Sequence, residues 1–310
     1  MTLLTLRKSN QARTQLDAAQ QQALTELYEQ AYQEALAELS RYQQLNTATG
    51  YLQTLRLTQL TEGLKRIYTN LHQKLEQTVL RDMKIVSNTV VDETAKFYEK
   101  VGLKIGVSYA SIPTEVVQAI KTGKVYEGNW HLSKAIWGQD KKILDDIQTI
   151  IAKDLALNKS SLEIAKDLEK YVKPSTQKPW DWNKVYPGVS TKIDYNAQRL
   201  ARTLVSHAYQ QSIMEAATKN PFAKGVKWLA SNSHRTCQLC IDRSENDSYG
   251  LGSGVFPVGE LPLDHPNGLC TFSIVLVGTL KQTSDRVAAW VNGASDDELT
   301  AFLKANNIAI

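Results

Sequence analysis

The chain has 310 residues, of which 42% are hydrophobic and 22% are charged, and its formal net charge is +4. These proportions are those of a protein that forms a core. No run approaches the roughly 20 apolar residues that span a bilayer, and the opening residues MTLLTLRKSNQ lack the apolar core of a secretory signal. We therefore expect a chain made in a cytoplasm with no membrane partner. The mild positive charge permits a polyanionic partner but does not predict one.

The amino-terminal part predicts two long helices. Over residues 11–44 neither Gly nor Pro occurs, and apolar residues recur at three- to four-residue steps, which is typical of an amphipathic helix. A second apolar stripe runs over residues 57–98. Between them, NTATG at 46–50 offers Gly50 as a helix stop. We expect a long helical hairpin within a helical region that spans residues 1–130.

The middle of the chain predicts shorter helices. One has Pro113 in its first turn, and another runs from about 191 to 220. Residues 173–190 carry three of the eight prolines, so they are the best candidate for an internal hinge.

The character of the sequence changes after Pro221. Residues 225–231 and 271–278 have the β-branched and aromatic pattern of strands, and the tail predicts two short helices, the second capped by Ser295. The predicted fold class is mainly α with a small carboxy-terminal α+β unit. Its second domain spans residues 131–310 and has a two- or three-stranded sheet around a Cys/His loop at 234–270.

All three cysteines of the chain lie in that loop. With one histidine, Cys237, Cys240, His265 and Cys270 form the pattern C-x2-C-x24-H-x4-C. Two Cys separated by two residues can turn both sulfurs toward one point, and a distant His and Cys can complete a tetrahedron around zinc, which prefers thiolate and imidazole ligands. The glycine-rich loop has few apolar contacts to offset its ordering entropy. The sequence therefore predicts a structural zinc site with these four ligands.

Other uses of the thiols stay open at this point. They could be buried free cysteines, above all Cys270 at the start of a strand. His234 is an alternative nitrogen ligand, and Asp264 is a candidate hydrogen-bond acceptor behind a ligand. A redox pair should begin a helix after a strand, whereas here a polar, Gly-rich segment follows. Motifs of phosphate-binding loops, metalloproteases and serine hydrolases are absent from the sequence, so we predict no enzyme.

The same stretch resembles a known family. WLASNSHRTCQLC, followed after a loop by LPLDHPNGLCTFSIV, is similar to the carboxy-terminal signature of the phage Mu F-like minor head proteins, also described as phage head morphogenesis proteins. The phrase Arg199–Thr203 also resembles that family, and the likeness covers about residues 130–280. One departure is that the family has a basic residue beside its last Cys, whereas Leu269 and Thr271 flank Cys270 here.

The resemblance implies a non-enzymatic virion component. Such a protein is packaged inside the head near the portal and acts in head assembly or DNA delivery, after synthesis in the host cytoplasm. The portal protein is the implied partner, and scaffold, major capsid protein and phage DNA are further candidates. Arg199 and Arg202 are candidate DNA contacts, although ion pairing is the commoner use of arginines on a helix. No residue is assigned to nucleic-acid binding.

Two alternatives from other functional classes remain. One is a toxin-like enzyme, an ADP-ribosyltransferase or a nuclease, but the roughly 30 residues after position 280 are too few for an appended catalytic domain. The other is a zinc-bearing adaptor that binds nucleic acid. Residues 241–265 argue against it because they contain five acidic residues and only one arginine, which disfavours contact with phosphate.

Overall fold

The structure is a computed structural model that describes residues 2–44, 51–104, 107–126, 195–231 and 236–306, with isolated residues between 145 and 168. The chain divides into two units. The first comprises Met1–Asp17, Leu80–Val125 and Arg202–Ile310, and the second comprises Ala18–Val79 and Tyr126–Ala201. This division differs from the boundary predicted near residue 130, because the beginning of the chain joins the carboxy-terminal sheet.

The predicted long hairpin is confirmed. Helix α1 spans Arg7–Gln44 and helix α2 spans Tyr51–Lys100. Within the second unit, Lys74 Nζ donates a hydrogen bond to Gln30 Oε1 over 3.2 Å, and a Cβ on Gly63 would come within 2.7 Å of Glu38 Oε1. These two contacts advance along α1 while they retreat along α2, so the helices are antiparallel. Their apolar stripes are buried at Leu24, Ala31, Ala35, Leu39, Leu57, Leu60, Leu64, Leu71 and Leu75. The predicted stop at Gly50 lies outside the described residues.

In the described part of the chain, three further helices lie between α2 and the second strand of the sheet. Helix α3 spans Val107–Ala110, α4 spans Ile112–Thr122 and α5 spans Tyr195–Thr218. Pro113 lies in the first turn of α4, as predicted, where a missing N–H costs nothing. Gly123 ends α4 with a left-handed φ of 81°, which glycine adopts without strain. The predicted hinge at 173–190 lies outside the described residues.

A four-stranded antiparallel sheet forms the centre of the first unit. Strands β1 (Thr2–Thr5), β2 (Ala223–Leu229), β3 (Val255–Phe256) and β4 (Thr271–Leu276) lie in the order β1-β4-β2-β3. The mainly helical fold class with a small sheet is confirmed, with four strands where the sequence predicted two or three. Strands β1 and β3 were not among the predicted ones, and in β1 Leu3 pairs with Val275 of β4.

Aromatic packing surrounds the sheet. The Trp228 ring of β2 meets Phe272 of β4 edge-on, with ring centroids 5.0 Å apart, and Tyr209 of α5 packs on the same phenylalanine. At the end of α2, Tyr98 packs on Phe97, Tyr109, Phe222 and Phe302. The core of the first unit therefore gathers aromatic residues from the end of α2 and from the carboxy-terminal part of the chain.

The remaining helices are α6 (Gln238–Glu245), α7 (Leu280–Val291) and α8 (Asp297–Ala305). The two tail helices were predicted, but the cap of the second is Asp296, not Ser295. The backbone of Asp296 is extended, and its Oδ1 accepts a hydrogen bond from Leu299 N at 2.9 Å. None of the helices in the described part of the chain has the apolar stretch that a bilayer crossing requires.

Candidate metal centre

A helix begins directly after the first cysteine. Cys237 is extended and precedes α6, and the amide of Cys240 donates to the carbonyl oxygen of Cys237 over 3.1 Å. The helical turn brings Cys240 back toward Cys237. The expectation that the C-x2-C pair does not begin a helix was wrong, since α6 follows β2 in the chain. The short segment QLCIDRSE carries no apolar stripe that reveals this helix.

Three of the predicted ligands converge on one point. The Nε2 atom of His265 lies 3.3 Å from the Sγ of Cys237 and 3.3 Å from the Sγ of Cys240. The donor atoms of all three residues lie within 4.8 Å of one another. In a tetrahedral zinc site, the sulfur and nitrogen ligands stand about 3.6 Å apart. The observed separations are thus close to those of a common tetrahedral shell.

The fourth predicted ligand, Cys270, lies close to Cys240. The donor atoms of Cys240, Asp264 and Cys270 also lie within 4.8 Å of one another. The structure therefore brings all four predicted residues into one cluster, with Asp264 beside them, and this cluster could hold a metal ion. All three thiols are free, and Cys240 and Cys270 are buried whereas Cys237 is exposed. His234, the alternative ligand, lies outside the described residues.

The orientation of His265 suits a ligand. Its Nδ1 lies 3.0 Å from the carbonyl oxygen of Pro266, so this nitrogen carries the proton and donates it. In that tautomer the lone pair is on Nε2, which faces the two sulfurs. The backbone amide of His265 also donates to Asp264 Oδ1 over 2.8 Å. Asp264 thereby has the role predicted for it, as an acceptor that supports a ligand residue.

Position 268, in the turn after His265, has no room for a side chain. A Cβ on Gly268 would lie 2.2 Å from Asp264 Oδ2. The preceding residue, Asn267, has a φ of 68°, a left-handed conformation that asparagine tolerates better than most residues. Together they fold the chain back from His265 toward Cys270.

Polar side chains of α5 hold the segment 262–270, which we call the ligand loop. The hydroxyl of Thr203 accepts from Asn267 N over 2.9 Å, and that of Ser206 donates to the carbonyl oxygen of Gly268 over 3.1 Å. Gln210 donates to the carbonyl oxygen of Pro262 over 2.7 Å and accepts from Asp264 N over 2.8 Å. Buried backbone groups must be paired, and α5 supplies the partners.

His207 is a further side chain of α5 that holds the ligand loop. Its Nε2 lies 3.0 Å from the carbonyl oxygen of Asp264, and burial lowers the pKa of the ring to about 4. The ring is therefore neutral at pH 7 and donates through Nε2. Residues 203, 206, 207 and 210 share one face of α5 at helical spacing. Sequence reasoning missed them, and the signal that could have revealed them is this polar stripe beside the apolar one.

Two buried arginines connect α1 and α5 to the ligand loop. Arg13 of α1 donates to the carbonyl oxygens of Cys270 and Leu269 over 2.9 and 3.1 Å. Arg202 of α5 donates to Asp17 Oδ1 over 2.6 Å and to Asn267 Oδ1 over 2.9 Å. Because Arg202 is buried and ion-paired, it is not available to DNA, whereas Arg199 is exposed.

The electrostatics of the two buried thiols, Cys240 and Cys270, argue against their redox use. Burial raises the pKa of the Cys240 thiol well above its usual value, and hydrogen bonds with Cys270 and Cys237 act in the same direction. Burial also raises the pKa of the Cys270 thiol. A reactive cysteine needs a lowered pKa, which these two do not have. A bound cation would reverse this, since coordination deprotonates a thiol.

No protein-family model, curated protein or solved structure matches this chain. The family resemblance of about residues 130–280 therefore stays a prediction from the sequence.

Proposed function

We propose that this chain is a phage minor capsid protein of the Mu F-like kind, packaged inside the head near the portal, and that a zinc ion stabilises its carboxy-terminal part. One observation carries the proposal. The residues that give the sequence its resemblance to the head proteins, Cys237, Cys240, His265 and Cys270, are distant in sequence and lie together in the fold.

The donor set favours zinc over other ions. Three thiols and one imidazole are ligands of zinc, whereas magnesium and calcium take oxygen ligands. Four protein ligands make a closed shell, which is the arrangement of structural rather than catalytic zinc sites. Asp264 is the fifth candidate, but its Oδ1 already accepts the backbone amide of His265. We assign it to holding His265 in place.

The zinc would act as a cross-link. Cys237 and Cys240 lie at the start of α6, whereas His265 and Cys270 lie in the ligand loop, with Cys270 directly before β4. A positive ion bound to these residues would join the two segments of backbone. The stabilisation would add to the few apolar contacts of this stretch, which buries Val255, Phe256 and Leu261.

In the virion, we assign this protein to head assembly or DNA delivery, without an enzymatic activity. The portal protein is the first proposed partner, and the scaffold, major capsid protein and phage DNA come after it. The long hairpin of α1 and α2 is the proposed docking element, because its outward positions carry many polar and charged side chains over a long surface.

Metal analysis tests the zinc part of the proposal. Protein purified under reducing conditions should contain about one zinc per chain. A thiol reagent should then modify the native protein slowly and the chelator-treated protein fast. A preparation without metal, whose thiols react at one rate with and without chelator, would favour buried free cysteines instead.

Particle fractionation tests the virion part. The gene should be expressed with the complete set of head genes that accompany it, and assembled heads should be separated from free protein on a gradient. We expect the chain to co-sediment with heads that contain the portal protein and to be missing from heads assembled without it. If the chain stays in the free fraction while the major capsid protein assembles, the proposal fails.

A further inference from the structure

Strand β1 is an edge of the sheet. It pairs with β4 on one side, and among the residues that the structure describes no strand pairs with its other side. In an antiparallel strand the backbone groups of alternate residues point to opposite sides. Half of the N–H and C=O groups of Thr2–Thr5 therefore point away from β4 and are able to pair with another chain.

A groove runs beside this edge. Its cavity has a volume of about 670 Å³, and each residue from Thr2 to Leu6 lines it. Phe97 of α2 and Leu276 of β4 form buried apolar parts of the lining. Leu280 of α7 lines it as well and is 40% exposed, although it is a large apolar side chain. The groove thus combines a free strand edge with apolar surface.

The charge of the groove is positive. Lys8, Lys96 and Lys100 line it, against the two acidic residues Glu93 and Glu99. Glu93 is already engaged by the beginning of α1. Its Oε1 accepts from Lys8 N over 2.9 Å and its Oε2 from Ser9 N over 2.7 Å. The lining therefore carries three lysines against two carboxylates, and Glu93 is held at the start of α1 while Lys96 and Lys100 are exposed.

We propose that this groove binds an extended peptide segment of another protein, which adds to the sheet as a strand beside β1. Its backbone pairs with the free edge, an apolar side chain enters the cavity, and acidic side chains meet Lys96 and Lys100. Strand addition takes affinity from backbone hydrogen bonds and specificity from alternate side chains. A second copy of this chain fits less well, because edge-to-edge pairing would bring the same lysines together. The inference depends neither on the metal centre nor on the proposed function.

A labelled peptide of about six residues with alternating Val and Glu is a suitable probe, and a Val-Lys peptide of equal length is its control. Fluorescence anisotropy with the full chain should show binding of the Val-Glu peptide with a Kd below about 1 mM, and weaker binding of the Val-Lys peptide. The double variant Lys96→Glu, Lys100→Glu should reverse this preference and weaken Val-Glu binding at least about tenfold. The variant Lys84→Glu, on the same helix but outside the groove, should bind as the unaltered chain does.

N-methylation of the probe separates strand addition from simple charge attraction. In a strand, the Val amides face one edge and the Glu amides face the other. Methylation of the amides that face β1 should abolish binding, and methylation of the amides that face away from β1 should leave it unchanged. Equal binding of the two methylated peptides, or loss with both, would overturn the proposal. So would a sedimentation result that shows a dimer broken by the Lys96→Glu, Lys100→Glu change, because the groove would then join two copies.

Discussion

The long hairpin and the ligand loop are held by opposite kinds of contact. In the second unit, α1 and α2 bury a regular series of apolar side chains, such as Leu24, Leu39, Leu64 and Leu71. The ligand loop is held by hydrogen bonds from buried polar side chains of α5 and from Arg13. The hairpin spreads its stability over many similar contacts, whereas the loop depends on a few different ones.

This difference predicts how each region responds to change. A leucine removed from the hairpin leaves a cavity, which costs about 2–5 kcal/mol, but the other members of the stripe keep the helices together. A group removed from the loop leaves its partners buried and unpaired, at about 1–3 kcal/mol for each. Loss of a metal ligand removes the cross-link as well, and its effect should be the largest.

Replacement of Cys240 should have the largest effect on stability, and it tests whether the ligand loop depends on a few contacts. Cys240 belongs to both groups of donor atoms, so Cys240→Ser should release the zinc and lower the free energy of unfolding by about 4 kcal/mol, or Tm by about 10 °C. Metal analysis and thermal unfolding followed by circular dichroism measure the two effects.

The neighbouring residue offers a matched control for that variant. Leu239 is 45% exposed, so Leu239→Ser should change neither zinc content nor Tm noticeably. If Cys240→Ser melts like the unaltered chain, the cluster contributes no cross-link and the contrast between the two regions is lost.

A cavity in the hairpin tests the other region. Leu64 is fully buried in α2, and Leu64→Ala should lower the free energy of unfolding by about 3 kcal/mol while the zinc content stays at its original value. Chemical denaturation followed by circular dichroism, together with metal analysis, measures this. Leu55→Ala is the control, since Leu55 is 42% exposed on the same helix. Zinc loss in Leu64→Ala would contradict the independence of the two regions.

A change at Arg13 should lower stability the least, and it tests the polar support of the ligand loop. The change Arg13→Met keeps much of the apolar stem but removes the donors to the carbonyl oxygens of Leu269 and Cys270. We expect a loss of about 2 kcal/mol in stability and faster transfer of zinc to a chelator, because Cys270 is then held less firmly. The control is Arg7→Met at the exposed start of α1. Equal rates of zinc transfer in the two variants would show that the arginine does not support the site.

The sequence predicted two kinds of feature: helices with periodic apolar residues, and a group of residues with the spacing of metal ligands. The hairpin follows from the 3.6-residue spacing of its leucines, and the Cys/His cluster from the spacing of Cys237, Cys240 and His265. Strand β1 was missed because a four-residue strand is too short to show alternation. Its strand character comes from pairing with β4, at the other end of the chain.

The polar support of the ligand loop was hidden for a different reason. Thr203, Ser206 and Gln210 have the composition of a solvent-exposed helix face, yet all three are buried. Their burial depends on backbone groups of residues 262–268, which local patterns cannot reveal. Arg13 is a similar case, because an arginine early in a polar helix is most often exposed.

The contact of Arg13 with Cys270 joins residues 257 positions apart. During synthesis from the amino terminus, α1 and α2 are complete long before β4 leaves the ribosome, and β1 has no strand to pair with until then. The sheet of the first unit can therefore close only after residues 271–276 have been synthesised, because β1 and β4 are far apart in sequence. Until β4 is available, the residues of β1 have no partner strand, and their backbone groups must pair with water or with another chain.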